Sequence, residues 1–254
     1  MGIEAFFSRL AGGLGRILFA LCDRCQACGG LLPGSGQARP LCPSCAECLA
    51  PRLGGYCPKC GALFEDPAAP PQLCPHCRLH GRPWDGFAFH AHYEGVLREM
   101  VLGFKFRGRL GQGRLLAGFL ADAYCRAAAR TGDGAMPPAG PDLIVPVPLH
   151  PKRLAWRGFN QSLELARLLA NTLDRPVRPQ ALVRIRNTTP QSQLPGAERL
   201  ENIQGAFLGD PAALDGRQIL LVDDVMTTGA TIETAVLALR RAGAARVDVA
   251  VVAR

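Results

Sequence analysis

The apolar positions of the chain change period twice. Near the start, Ile3, Phe6, Phe7, Leu10, Leu14, Ile17, Leu18 and Leu21 recur at helical spacing and predict a short amphipathic helix over residues 1–21, packed on the body of the protein. Glu4, Arg9 and Arg16 interrupt this stretch, so it does not read as a secretory signal. Its longest unbroken apolar run, residues 17–22, is far too short to span a bilayer, and no integral membrane segment is expected. Over residues 22–82 the period is lost and cysteines dominate. It returns after residues 83–86. Phe87, Phe89, Ala91 and Tyr93 alternate as in a short strand. Residues 97–106 and 115–130 read as helices, and the Gly- and Pro-rich residues 131–141 as a loop. Beyond that, apolar runs at 143–147, 217–222 and 247–252 alternate with helical patterns at 162–173 and 230–242. Short apolar strands separated by helices predict an α/β domain over residues 83–254, a parallel sheet with helices on both faces. Ligands of such sheets sit at the carboxyl ends of the strands.

With 48% hydrophobic and 20% charged residues, the composition is that of a folded globular protein, not a disordered chain. The formal charge of +8 invites a polyanionic partner. It counts every cysteine as neutral, however, and ten of the eleven lie between Cys22 and Cys77. Without a secretory signal the expected compartment is the reducing cytoplasm, which favours metal ligation over a disulfide framework.

The cysteine spacing strengthens that choice. Cys25 and Cys28 form one C-x-x-C pair and Cys42 and Cys45 the next; Cys57, Cys60, Cys74 and Cys77 repeat the set 32 positions later. Neighbours repeat as well: Cys28-Gly29 matches Cys60-Gly61, and Leu41-Cys42-Pro43 matches Leu73-Cys74-Pro75. Two residues between cysteines let a tight turn aim both sulfurs at one ion, and a second turn completes a tetrahedron. A glycine after the second cysteine eases the backbone there. Two zinc ribbons in tandem are expected over residues 22–82, each with a structural Zn²⁺ in a four-thiolate site. Two such sites would bring the net charge to about +4. Cys22, Cys48 and His80 offer a shifted ligand register that lacks the repeat. Cys22, Cys48 and Cys125 otherwise read as small buried hydrophobes.

The strand at 217–222 leads into Asp223-Asp224-Val225-Met226-Thr227-Thr228-Gly229-Ala230-Thr231. Two carboxylates leave a strand, a turn of small hydroxylated residues follows, and a helix begins. Amides at a helix N-terminus favour a phosphate, Gly229 lets a backbone approach closely, and hydroxyls add donors. Carboxylates repel phosphate but accept from sugar hydroxyls. Together they predict a phosphorylated sugar. Asp-Asp alone would fit an ordinary capped helix; the whole string is more specific.

This loop resembles the signature of type I phosphoribosyltransferases. In that family the acid pair holds the ribose hydroxyls, and the turn, here Thr227, Thr228, Gly229, Ala230 and Thr231, holds the 5′-phosphate. The resemblance implies phosphoribosyl pyrophosphate with Mg²⁺ as ligands. A narrower likeness covers nearly the whole chain. The cysteine pairs, Phe104-Lys105-Phe106, Pro146-Val147-Pro148-Leu149, Arg157-Gly158-Phe159-Asn160-Gln161, and the stretch from Thr189-Pro190-Gln191 through Arg199, Asn202 and Phe207 occur in the order found in the ComF family. That resemblance implies a connection with natural competence, the uptake of DNA as a single strand, and with competence machinery proteins. It also implies a type I phosphoribosyltransferase-like parallel sheet behind a cysteine-rich double zinc ribbon.

Candidate roles follow. Asp223, Asp224, Lys105 and Arg153 are the candidate catalytic residues, and Val147, Arg157, Asn160 and Gln161 join the turn as candidate ligand contacts. In the wider fold, the first loop, here residues 146–153 with Lys152 and Arg153, receives pyrophosphate. Asn160 equally suits a helix cap. Lys105, Arg107, Arg109 and Arg114, with Phe104 and Phe106, read as a phosphate contact, a single-stranded DNA patch with stacking aromatics, or plain surface charge over core phenylalanines. Residues 184–194 would close over a bound substrate. No C-terminal hood for an acceptor is expected after the last strand, which leaves the ribbons as its substitute or no acceptor at all. Two functions compete: a phosphoribosyltransferase, and a non-catalytic zinc-dependent protein that binds single-stranded DNA and uses the fold as a ligand module.

Overall fold

The computed structural model describes residues 24–32, 40–130, 135–137, 140–188 and 203–254. The helix expected over residues 1–21, Cys22, and the stretch from Thr189 to Asn202 with Gln191 and Arg199 lie outside them. The chain divides into two compact units, one up to Ala50 and one at Pro51–Arg254.

The first unit holds the first cysteine set. Arg24 bridges Leu31 in antiparallel fashion, and a one-turn helix, α1 (Pro43–Cys48), follows Cys42. The second unit opens on the same device 32 residues on: Tyr56 bridges Leu63, and α2 (Pro75–His80) follows Cys74. Proline at the first helical position fits both helices because its missing N–H has no partner to lose there.

The rest of the second unit is the expected α/β domain. It runs β1 (Phe87–Ala91), α3 (Gly95–Phe106), α4 (Gln112–Ala128), β2 (Leu143–Pro146), α5 (Pro151–Arg157), α6 (Gln161–Leu173), a 3₁₀ turn at Pro179–Ala181, β3 (Leu182–Arg184), β4 (Phe207–Gly209), α7 (Pro211–Leu214), β5 (Gln218–Val225), α8 (Ala230–Arg241) and β6 (Arg246–Ala253). The sheet order is β1–β6–β5–β2, and every neighbouring pair is parallel. Alternation divides the side chains between two cores. Phe87, Phe89, Leu143, Val145, Ile219, Leu221, Val247, Val249 and Val251 pack in one cluster with α8, β3–β4 and the second cysteine set. The other face is covered by α4 and α6.

Four local outcomes differ from the sequence reading. The basic loop expected over residues 146–153 turns helical at its end, in α5 (Pro151–Arg157): Pro151 starts it, His150 Nδ1 accepts from the Lys152 amide at 3.3 Å, and Gly158 at φ 82° ends it. The β3–β4 hairpin has strands too short to leave a periodic signal. β5 runs three residues past its apolar stretch, because Asp223 and Val225 still pair with Val251 and Ala253 of β6. Cys48 and Cys125 are also exposed, not buried. Cys125 falls outside the stripe of Leu116, Leu120, Tyr124 and Ala127 that α4 turns inward.

Candidate functional site

Each cysteine set converges on one point. The sulfurs of Cys25, Cys28, Cys42 and Cys45 all lie within 4.8 Å of one another, as do those of Cys57, Cys60, Cys74 and Cys77. A tetrahedron of sulfurs about 2.3 Å from a central zinc has edges of about 3.8 Å. The Cys60–Cys74 edge is 3.8 Å and the equivalent Cys28–Cys42 edge 4.0 Å, so both donor sets fit Zn²⁺. Gly29 and Gly61 take φ of 77° and 68°, the left-handed turn that brings the second thiol of each pair round. The hydrogen bond from Cys60 holds Cys57 down at about 4 against burial, while that bond and burial push Cys60 far up. Zinc held by the four cysteines would displace such retained protons and keep the sulfurs as thiolates. The clusters differ in burial. Cys28 is exposed and Cys42 half-buried, whereas all four sulfurs of the second set are buried in the core of the larger unit.

The second feature is a cavity of about 470 Å³ at the carboxyl ends of β2 and β5. Asp223 and Asp224 stand at its floor on successive residues of β5. Asp223 Oδ1 accepts from Ser162 Oγ at 2.7 Å, and Lys105 Nζ lies 2.6 Å from Asp224 Oδ2. Both carboxylates are buried. Burial pushes Asp223 up, opposed by the Ser162 hydrogen bond and by Lys105, Arg184 and Arg157.

Four cations line the same cavity: Lys105 from α3, Arg153 and Arg157 from α5, and Arg184 from β3. Burial lowers Lys105 to about 8; Asp223 opposes this and Arg157 adds to it. Burial, then Arg153, lowers Arg184 to about 10. Arg153 and Arg184 meet on Thr188, one on its carbonyl and the other on its hydroxyl. Four cations against two carboxylates leave the cavity electropositive, and their partial desolvation favours an anion that pairs with them.

Opposite the carboxylates, β5 ends in a turn, residues 226–229, before α8. Gly229 caps the helix at φ 89°. Thr227 and Thr228 are exposed, and the amides of Thr228 and Gly229 donate to no group among the described residues. Free donors at a helix N-terminus form an anion cradle.

The cavity gathers most of the residues singled out from sequence: Asp223, Asp224, Lys105, Arg153, Val147, Arg157, Gln161 and Thr227 through Thr231. Asn160 does not line it. Its Oδ1 caps α6 on the Ser162 amide and its Nδ2 holds the Val147 carbonyl, both at 3.1 Å. The Arg157-Gly158-Phe159-Asn160-Gln161 motif thereby gains a physical account. Gln161 Oε1 fixes Arg157 at 2.7 Å, Phe159 packs edge-on against Phe104, and Asn160 ties the β2 loop to α6. Arg107, Arg109 and Arg114 are exposed outside the cavity, and Arg107 pairs with Glu99. Ser162 and Tyr93 line the cavity although sequence reasoning gave neither a site role, and Arg184, expected only as the first residue of a closing segment, lines it from β3. Arg184 is buried at 7% exposure, and the sequence offered no more than an arginine after the apolar pair Leu182-Val183 to mark it.

A family model described as a phosphoribosyl transferase domain matches residues 160–254, which hold Asp223, Asp224 and the cradle. The DNA utilization protein YhgH of Salmonella typhimurium is 35% identical over 210 residues, 82% of this chain and 88% of that protein. Competence protein F of Haemophilus influenzae is 32% identical over 228 residues, 89% of this chain and 94% of its own. The chain belongs to the ComF family. Competence protein ComFC of Bacillus subtilis extends the likeness to 92% of this chain at 29% identity, covering 93% of that protein. In ComF terms the chain joins a phosphoribosyltransferase domain to two four-cysteine clusters suited to zinc. No helix among the described residues is long and apolar enough to cross a membrane.

Proposed function

We propose that the chain binds phosphoribosyl pyrophosphate with Mg²⁺ and acts as a phosphoribosyltransferase connected with natural competence and DNA uptake. One observation carries the reading: an adjacent carboxylate pair, an open amide turn and four cations from three elements share one cavity. The turn at 227–231 takes the 5′-phosphate and Asp223 and Asp224 the ribose hydroxyls. Lys105, Arg153, Arg157 and Arg184 face the pyrophosphate. Mg²⁺ keeps much of its water and binds largely through substrate phosphates, so the acid pair is a sufficient protein contribution to it. In the transfer, the bond from the anomeric carbon to pyrophosphate breaks and the acceptor's lone pair forms the new one. The cations stabilise the departing charge while the carboxylates offset the positive ring. The names of the relatives, competence and DNA utilization, support the wider role.

Calorimetric titration with phosphoribosyl pyrophosphate and Mg²⁺ tests binding, and pyrophosphate release with candidate acceptors tests transfer. A protein that binds neither the sugar nor pyrophosphate would sink the reading. Binding without release for any acceptor would move the choice to the second function, non-catalytic binding of single-stranded DNA. One observation favours that alternative. Phe106 and Trp156 are 54% and 76% exposed, with ring centroids 6.5 Å apart and the Arg157 guanidinium 4.6 Å over Phe106. Exposed rings beside basic groups suit stacked bases.

Lys105 gives a pH prediction. Its amine is half charged near pH 8, charged below that value, and discharges as pH rises through it. A bound phosphate favours the charged form, so binding above pH 8 takes up a proton. Affinity should therefore fall by up to about tenfold per pH unit above 8. Calorimetry in buffers of different ionisation heat measures the uptake, and Lys105→Met should abolish it.

A further inference from the structure

The second zinc cluster and the phosphate turn are held by the same residues. Trp84 is 1% exposed, and its Nε1 donates at 2.7 Å to the carbonyl of Lys59, inside the Cys57–Cys60 turn. Lys59 returns the tie by donating from Nζ to the Asp85 carbonyl at 2.8 Å. The far edge of the same indole lies behind the turn: a methyl added at Gly229 would stand 3.7 Å from Trp84 Cη2. A second tie runs beside it. The Arg82 guanidinium lies 5.6 Å from the Trp84 ring centre and pairs at 3.4 Å with Glu233, in the first turn of α8. A third runs through Arg254, whose Nε donates to the Cys60 carbonyl at 2.7 Å while its own carbonyl accepts from the amide of the cavity residue Tyr93.

We infer that the second zinc cluster positions the phosphate turn, with Trp84 as the strut and Arg82–Glu233 as its brace. Ligand affinity then depends on zinc in the Cys57, Cys60, Cys74 and Cys77 set. A turn of free amides binds an anion well only if it is held open in advance, because ordering it on binding costs affinity. Trp84 and Arg82 are positioning residues in this account; neither touches the ligand. The affinity part rests on the ribose reading above, and the positioning part does not.

The full, zinc-loaded chain decides the matter through amide exchange, zinc content and titration with phosphoribosyl pyrophosphate and Mg²⁺. Trp84→Phe keeps a ring but loses the Nε1 donor and the edge behind Gly229. It should retain both zincs. The Glu233 amide, which donates to the Gly229 carbonyl, should exchange about tenfold faster. The Ile144 amide, bonded to Pro176 at the far edge of the sheet, should be unchanged, a contrast that general loosening would not give. Affinity should fall about tenfold. Unchanged exchange at Glu233 in a folded, two-zinc Trp84→Phe protein overturns the inference. If that variant does not fold, Arg82→Gln decides by the same exchange: faster at Glu233 supports the inference, unchanged refutes it. Failure of the parent protein to bind the sugar would count against the ribose reading alone, since exchange at Glu233 needs no ligand.

Discussion

Asp224→Asn is expected to weaken phosphoribosyl pyrophosphate and strengthen bare pyrophosphate in the same cavity. The two effects have different origins. The carboxylate accepts from ribose hydroxyls in the proposed complex, and a charged acceptor contributes about 1.5–3 kcal/mol per hydrogen bond. It also neutralises Lys105, whose Nζ lies 2.6 Å away. An amide in its place accepts more weakly and releases Lys105, adding one positive charge to a cavity that already holds an excess. Pyrophosphate alone sees only that added charge and binds tighter. The sugar loses its hydroxyl anchor, so the ratio of the two affinities should shift against it on the order of a hundredfold. Asp223→Asn should shift the ratio the same way, with an added cost from the Ser162 hydroxyl that Asp223 Oδ1 now accepts. The fold should tolerate Asp223→Asn, since an amide of the same shape removes a charge that burial disfavours, whereas Asp224→Asn leaves Lys105 without its partner and should cost some stability. Competition titrations with the two ligands give the ratio directly. If both affinities move together, the carboxylates do not read the sugar.

Opposite signs are expected because one strand end would serve two chemistries in the proposed complex, and the residues behind that proposal stand together in the sequence. Asp223 through Thr231 is contiguous, so its acids, hydroxyls, glycine and helix start could be read together. The zinc ligands were legible for a different reason. The 32-residue repeat chose among competing cysteines, and the structure repeats with it: Arg24–Leu31 becomes Tyr56–Leu63, and α1 becomes α2. What the sequence concealed is the set of contacts made by elements distant in the chain. Arg184 enters the cavity from a three-residue strand with no periodic signature. Ser162 looks like one more polar residue in a helix start, and only the packing of α6 on β5 sets its hydroxyl against Asp223. Residues 151–153 read as the end of a loop because Pro and basic residues dominate them, yet proline at a first helical position and Gly158 after Arg157 are helix punctuation. The most consequential omission is the difference between the cysteine sets. Matching spacing implies matching chemistry, but burial depends on what the rest of the chain packs against each set.

That difference gives the prediction with the largest expected effect on stability. Cys28→Ser should leave the thermal unfolding of the larger unit unchanged, whereas Cys60→Ser, its equivalent 32 residues on, should cost that unit several kcal/mol or prevent its folding. In the first set, Cys28 is exposed and Cys42 half-buried, so solvent and chelators reach the metal without opening any core. In the second set, all four cysteines pack with Tyr56, Trp84 and Phe87 against the face of the sheet that carries α8. A hydroxyl at Cys60 would leave a weaker ligand among sulfurs that a missing ion no longer neutralises, inside an apolar cluster that cannot hydrate them. Zinc in a structural four-cysteine site contributes about 10–16 kcal/mol of apparent binding free energy, and in such a site binding energy is folding energy. A chelator should accordingly remove zinc from the native protein in two phases. The fast phase empties the exposed cluster, and the slow phase proceeds at the rate of core opening in the larger unit. Zinc release followed with a metallochromic dye, alongside circular dichroism, separates the phases. The first should pass with no spectral change in the larger unit and the second should coincide with its unfolding. Simultaneous loss of both ions would show that burial does not govern access to the second cluster, and would remove the physical basis for its role as the anchor of the phosphate turn.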